Sequence, residues 1–218
     1  MKCLSTIYKL IGGMLLFSGL ALADYQIDFT IPGFAPGSIT YNGGSGPLTG
    51  SSIGVSSVTG MGGTANSNVL LNCNNCFLNF QTGSLTSQSS GTYTFGSGGT
   101  FTLTGTIAGT GISGTLLSGS FASSTINTIG PFMFDSAFFS TAVNQALTSY
   151  YGMPSSPPNY AGGLSVLFTG GPGTAPNSFA STQIFSGNIA ASVPEPASMI
   201  LLGTVLLACA AIARRRTA

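Results

Sequence analysis

The clearest indication of the fold is the stretch Gly-Thr-Tyr-Thr-Phe-Gly-Ser-Gly-Gly-Thr-Phe-Thr-Leu-Thr-Gly-Thr-Ile at residues 91–107. Tyr93 and Phe95 alternate with threonine, and after a run of small residues Phe101 begins the same pattern again. Alternation of apolar and polar residues is typical of a β-strand that has one face in a core and the other in water. We therefore predict two strands joined by a hairpin loop at residues 96–99.

The same kind of pattern recurs along much of the chain. Further candidate strands are residues 25–29, 53–59, 76–80, 114–121, 164–168 and 182–189. Short strands separated by glycine-rich turns favour an all-β fold, such as an antiparallel β-sandwich, a jelly-roll-like arrangement or a sheet closed on itself. A solenoid of stacked repeats is a minor alternative, because the strand-turn units have no fixed period.

One helix is expected among these strands. Asp135 is a suitable N-cap, and apolar residues follow it at helical spacing as far as Tyr150. Gly152 and Pro154 would then stop the helix. We predict a short helix over residues 135–150 that covers one end or one face of the sheets.

The N-terminal residues 1–23 have the organisation of a secretory signal peptide. The basic residues, the apolar run and the A-x-A cleavage site are Lys2 and Lys9, residues 10–22, and Ala21 with Ala23. Cleavage after Ala23 would make Asp24 the first residue of the mature chain. The protein is therefore expected to be exported.

The C-terminal residues 193–218 combine three features. They are the motif Pro194, Glu195 and Pro196, the uncharged apolar run 197–213, and the cluster Arg214, Arg215 and Arg216. The apolar run is just long enough to cross a bilayer as a helix, which takes ~17–25 residues. Positive residues stay on the cytoplasmic side, so the arginines would stop transfer and leave the preceding chain outside. A buried core helix is the less favoured interpretation.

This three-part ending resembles the PEP-CTERM sorting signal of bacterial exported proteins. The resemblance implies export through the Sec translocon, an inner-membrane intermediate anchored by the C-terminal helix, and processing by an exosortase. It further implies delivery to the cell surface or extracellular matrix of Gram-negative bacteria that make exopolysaccharide. Pro194, Glu195 and Pro196 would then be recognition residues, and Arg214, Arg215 and Arg216 the membrane stop.

The domain between the two signals, residues 24–192, is almost uncharged. Every lysine and arginine of the chain lies in a signal, histidine is absent, and the acids of the domain are Asp24, Asp28 and Asp135. Binding to nucleic acid or to an anionic membrane surface requires basic residues, so both are disfavoured. The domain is rich in Phe, Leu, Ile and Val, so we expect it to fold. A folded, nearly neutral domain suits a tethered or matrix-embedded protein.

Cys73 and Cys76 are the only chemical cluster in this domain. Exported proteins meet an oxidising compartment, so we expect a structural disulfide that closes a tight turn. Free or intermolecular thiols and a redox or metal site are alternatives. A redox pair, however, is activated by a nearby cation or a helix N-terminus, and zinc needs four ligands. We therefore expect no metal and no cofactor.

Catalysis is disfavoured by the residue types available. A serine or cysteine nucleophile needs a base, and residues 24–192 contain neither histidine nor lysine. The only sensible carboxylate pair for glycoside hydrolysis is Asp28 with Asp135. We expect instead that Asp28 points out of an edge strand and that Asp135 caps the helix. The expected function is a structural or adhesive surface protein associated with exopolysaccharide, without enzymatic activity.

A glycan-binding module is the alternative function. Sugars stack on aromatic rings, and in the absence of tryptophan the candidates are Tyr41, Tyr93, Tyr150, Tyr151 and Tyr160. An exposed platform of these rings would favour glycan binding, whereas buried rings would favour a structural role.

Overall fold

The computed structural model describes residues 25–153, 160–172 and 177–193. They belong to one compact unit, Tyr25–Pro194, which contains ten strands and one short helix within the described ranges. The elements are β1 (Gln26–Ile31), β2 (Ser38–Tyr41), β3 (Pro47–Met61), β4 (Leu70–Ser89), β5 (Thr92–Phe95), β6 (Gly99–Ile107), β7 (Ser113–Asn127), β8 (Phe132–Val143), α1 (Gln145–Tyr150), β9 (Ala161–Pro172) and β10 (Phe179–Ser192). The predicted all-β antiparallel fold with one short helix is confirmed.

The strands form one antiparallel sheet whose hydrogen bonding closes on itself. Going round, the neighbours are β3, β4, the pair β5 and β6, then β7, β8, β9, β10, and the pair β1 and β2, which returns to β3. A closed sheet leaves no outer strand with a row of unpaired backbone groups. Among the strands described here, each has a partner on both sides.

The residues of the opening stretch form strands as predicted, but the predicted hairpin at residues 96–99 is wrong. β5 and β6 do not pair with each other. Both lie between β4 on one side and β7 on the other. They are successive parts of one interrupted strand, and residues 96–99 carry the chain onward along the sheet. β1 and β2 are related in the same way, between β3 and β10.

The helix predicted at residues 135–150 is wrong over most of its length. Phe132–Val143 is strand β8, which pairs with β7 and β9, and only Gln145–Tyr150 is helical. The error arises because apolar residues of this segment, such as Phe138 and Ala142, are four residues apart. That spacing puts two side chains on the same face of a strand and also on the same face of a helix.

Asn144, not Asp135, is the N-cap of α1. Its side-chain oxygen accepts hydrogen bonds from the backbone N–H groups of Ala146 and Leu147, at 3.0 and 3.3 Å. Such bonds satisfy donors that the first turn of a helix leaves without a backbone partner. The chain leaves the sheet at Asn144 and begins the helix in one step.

Aromatic side chains fill the inside of the closed sheet. The ring of Phe80 on β4 stacks on that of Phe134 on β8, with 5.0 Å between centroids. Tyr93 on β5 meets Phe179 on β10 edge to face at 5.6 Å. In both pairs the strands are not neighbours in the sheet, so the contacts cross the interior. All four residues are buried, and rings of this size supply much of the stabilisation of a core.

Some strand glycines make room for these rings. A Cβ added at Gly50 would lie 2.7 Å from Cζ of Phe80, and one at Gly60 would lie 2.6 Å from Cδ1 of Tyr151. Real Cβ atoms do not approach carbon so closely, so neither ring could stay in place beside a larger residue. Part of the high glycine content therefore serves close packing inside strands rather than turns.

Candidate functional site

Asp28 and Asp135 lie on the outer face of the sheet, on strands that are not neighbours. Asp28 is on β1 and Asp135 is on β8, with β10 and β9 between them. Three strand spacings of ~4.8 Å put roughly 14 Å between their backbones. The carboxyl groups of glycosidases are ~5–9.5 Å apart. The structure therefore does not bring this pair together as an acid–base or nucleophile–acid couple.

Neither aspartate has the surroundings predicted from the sequence. β1 pairs with both β3 and β10, so Asp28 is not on an edge strand. Burial raises the pKa of Asp28 above its ordinary value, and a hydrogen bond with the side chain of Asn188 opposes part of that shift. Because the pKa is raised in the folded state, the free energy of unfolding falls as the pH rises past the pKa that Asp28 has in the unfolded chain. Asp135 lies within strand β8 and caps no helix.

The structure joins Cys73 and Cys76 by a disulfide inside strand β4, not in the tight turn that we predicted. Their Cα atoms are 5.6 Å apart. Between Asn74 and Phe77 the pairing of β4 with β6 shifts register, and Asn75 has a φ of 52°. The disulfide therefore spans a β-bulge, where one strand carries an extra residue.

Gly105 of β6 lies opposite this bulge. A Cβ added to it would lie 2.6 Å from the Cα of Cys76, so only glycine leaves space for the bridged strand. Cys76 is buried at 2% exposure. The bridge lies in a strand and not at a helix N-terminus, and residues 24–192 contain no cation. Its surroundings therefore lack the features that activate a redox cysteine.

We expect Cys73 and Cys76 to be oxidised in the exported protein. Mass spectrometry of the alkylated, non-reduced chain should show two hydrogens fewer than the dithiol and no alkylation at either residue. Full alkylation without reductant would contradict this. The cysteines are only three residues apart in sequence, so replacing both with serine should cost less than the ~3 kcal/mol expected for a 15-residue loop.

The tyrosines considered as a sugar-binding platform are mostly in the core. Four of them expose almost nothing to solvent: Tyr41, Tyr93, Tyr151 and Tyr160. Tyr150 is half-buried and packs edge to face against Tyr151 at 5.1 Å. These rings do not form an exposed platform, and their burial favours a structural role.

Tyr151 holds the end of α1 against the sheet. Its hydroxyl is 3.1 Å from the carbonyl oxygen of Val58 and 2.9 Å from that of Val69, so both oxygens are placed to accept its single O–H proton. Burial is the main cause that raises the pKa of Tyr151 to about 12. The hydroxyl therefore stays protonated at ordinary pH and acts as a structural donor.

The C-terminal signal begins where the folded sheet ends. β10 pairs with β9 on one side and with β1 and β2 on the other, and its last residue, Ser192, is paired with Gln26. One residue later, the N–H of Val193 donates to the carbonyl of Tyr25 at 3.0 Å. Tyr25, the residue after the predicted first residue of the mature chain, and Val193, at the start of the sorting signal, therefore lie side by side.

A family model described as the PEP-CTERM protein-sorting motif matches residues 192–216. The chain carries a PEP-CTERM sorting motif. The motif indicates an exported protein that is anchored in the membrane and then processed by an exosortase. No curated protein and no solved structure matches the chain.

All but the first two residues of the PEP-CTERM match, and the whole predicted signal peptide, lie outside the described residues. They include Pro194, Glu195 and Pro196, the apolar run 197–213, the arginines Arg214, Arg215 and Arg216, and Ala21 with Ala23. Within residues 25–153, 160–172 and 177–193, no helix is both long and apolar enough to cross a membrane. The predicted transmembrane helix thus stays a prediction from the sequence and the PEP-CTERM match.

One exposed side chain of the folded domain was missed by sequence reasoning. Phe34, in the connection between β1 and β2, is 72% exposed and has a φ of 60°. The signal available in the sequence was an aromatic residue within Pro-Gly-Phe-Ala-Pro-Gly, residues 32–37, which follows no strand or helix pattern. An aromatic residue in a turn has no core position assigned to it by periodicity.

Proposed function

We propose that this chain is a structural or adhesive component of an extracellular polysaccharide matrix, and that it is not an enzyme. The PEP-CTERM motif supports export and processing by an exosortase, and the rest of the proposal depends on the folded domain. An exopolysaccharide is the partner proposed for the domain after release. The cell surface or matrix is its proposed final location.

The observation that carries this proposal is a row of polar side chains around the outside of the sheet. Strand register places one residue on each of five successive strands side by side: Thr125, Asp135, Ser165, Asn188 and Thr30. Only the aspartate among them is charged. Hydroxyl and amide groups form weak neutral hydrogen bonds, and many of them together suit a repetitive, hydroxyl-rich polymer through avidity.

The residue types present in the domain support the proposal that it has no enzymatic activity. Residues 24–192 contain no histidine, lysine or arginine, so nearly every acid–base or nucleophilic mechanism lacks a component. The one carboxylate pair that could replace them is divided between β1 and β8, roughly 14 Å apart across the intervening strands.

We expect the exported protein to sediment with exopolysaccharide to nearly the same extent at low and at high ionic strength. The physical reason is that salt screens charges, and the domain has almost none for it to screen. Co-sedimentation with exopolysaccharide purified from producing cells checks this, with tubes lacking polysaccharide as the control for self-sedimentation. Loss of binding in moderate salt would contradict the proposal. So would turnover of a glycan that disappeared in Asp28→Asn or Asp135→Asn.

A further inference from the structure

Phe34 is an aromatic residue held in solvent with a strained backbone. Its side chain is 72% exposed, and its φ of 60° lies in the left-handed region that bulky residues rarely adopt. Strain of this kind persists only where the surrounding structure imposes it, and it is concentrated at functional positions. Burial in the core therefore does not explain why a phenylalanine stands at this position.

The residues that follow Phe34 are fixed to the sheet. Ala35 is buried and forms an isolated β-bridge with Ile184 of β10. The carbonyl of Pro36 accepts a hydrogen bond from the N–H of Gly54 at 3.0 Å. The ring is therefore presented by a well-anchored turn, which lowers the entropy lost when a ligand binds.

β10 carries two bulges directly beside this turn. Its pairing with β9 shifts register between Ser181 and Gln183 and again between Ile184 and Ser186. Each bulge turns an extra side chain away from the core, and bulges often re-aim side chains at functional sites. Thr182, Gln183 and Ser186 are exposed there, and Phe185 is partly buried. The rings of Phe34 and Phe185 meet edge to face, with 6.3 Å between centroids and 72° between planes.

We propose that Phe34, Thr182, Gln183, Phe185 and Ser186, called here the Phe34 surface, bind a neutral polysaccharide. Aromatic rings offer a face for the apolar C–H side of a sugar, and the amide and hydroxyls offer donors and acceptors for sugar hydroxyls. None of the five is charged, so the Phe34 surface provides no cation for an anionic ligand and no carboxylate for a cationic one. This inference rests on the proposed function and names the residues that perform it.

The Phe34 surface is far along β10 from Ser192, the residue at which the PEP-CTERM match begins. Gln183 precedes Ser192 by nine residues of the same strand, which corresponds to about 30 Å at the rise of an antiparallel strand. A change on this surface should therefore leave exosortase processing intact. Processing and binding can be measured as separate properties of the same variant.

The decisive comparison is between Phe34→Asn and Ile129→Asn in the full chain, expressed in producing cells. Asparagine tolerates a positive φ, so Phe34→Asn removes the ring without adding backbone strain. Ile129 is equally exposed at 72%. It lies in the connection between β7 and β8, and its side chain is beside Gly91 of the turn between β4 and β5. We expect Phe34→Asn to weaken retention on exopolysaccharide from producing cells about tenfold, as for the loss of one stacked ring. Ile129→Asn and Phe34→Tyr should be retained like the wild type.

The outcomes separate this inference from the proposed function. If the wild type and Phe34→Asn are retained equally, the Phe34 surface is not the binding site, although matrix association stands. If the processed wild type is not retained at all, the proposed function is wrong and this inference with it. If Phe34→Asn instead converts a dimer into a monomer in sedimentation without polysaccharide, the surface binds a second copy of the chain, and the glycan assignment is overturned.

Discussion

Replacing Glu195 with alanine is expected to leave a full-length protein that stays in the membrane fraction. Glu195 is the only charged residue between Asp135 and Arg214. The prolines on either side hold the backbone extended, which suits presentation to a membrane protease just outside the bilayer. Without the carboxylate the exosortase loses its recognition group, so we expect release to be nearly abolished. Fractionation and immunoblotting of producing cells measure the ratio of full-length to processed chain.

Asp135→Asn is the matched control for this experiment. It also removes one carboxylate, but from strand β8 of the folded domain and not from the PEP-CTERM motif. It should be processed and released like the wild type. A strain without the exosortase should accumulate the same full-length species as Glu195→Ala. Release of Glu195→Ala at the wild-type rate would remove the main support for recognition at this motif.

The strands were largely predictable because their signal is local. Phe101 and Leu103 are buried and the threonines beside them face outward, as the alternation predicts. Pairing was not predictable, since nothing in residues 91–107 distinguishes two strands of a hairpin from two parts of one interrupted strand. The closed sheet depends on contacts between residues far apart in the sequence, such as Gln26 with Ser192. Periodicity carries no information about those partners.

The candidate sites also differ in whether they depend on local sequence or on strand pairing. The PEP-CTERM motif could be read from the sequence because a linear signal keeps its residues in order. The surroundings of Asp28, the bulge at Cys76 and the exposure of Phe34 depend on which strand lies beside which. No local sequence pattern predicts that Phe34 is exposed. Its neighbours on β10 are about 150 residues away in the chain, so only the tertiary structure brings them into contact.

Replacing Gly50 with valine is expected to destabilise the domain by about 2–3 kcal/mol, as overpacking of a core does. Gly50 of β3 is paired with Phe80 of β4, and the Phe80 ring covers the place where a side chain would start. Valine would push this ring off Phe134, on which it stacks at 5.0 Å. Denaturant unfolding of the exported protein, followed by circular dichroism, measures the change in the free energy of unfolding.

Gly171→Val is the matched control, because it places the same side chain on another strand glycine. At Gly171 the nearest atom to an added Cβ is Cγ2 of Thr182, at 3.6 Å, an ordinary contact. Valine favours strands, so this variant should be at least as stable as the wild type. Equal losses at Gly50 and Gly171 would mean that backbone effects, and not the ring, explain the glycines.

The role of the Phe80 ring can be tested directly with a double-mutant cycle. Phe80→Ala alone should cost ~3–5 kcal/mol, as for other large-to-small changes of a buried ring. In the Gly50→Val background it should cost much less, because valine occupies part of the space that the ring leaves and no longer competes with it. Additive losses would show that Gly50 and Phe80 act independently. The cycle therefore decides whether Gly50 is needed to leave room for the Phe80 ring or only weakens the strand that contains it.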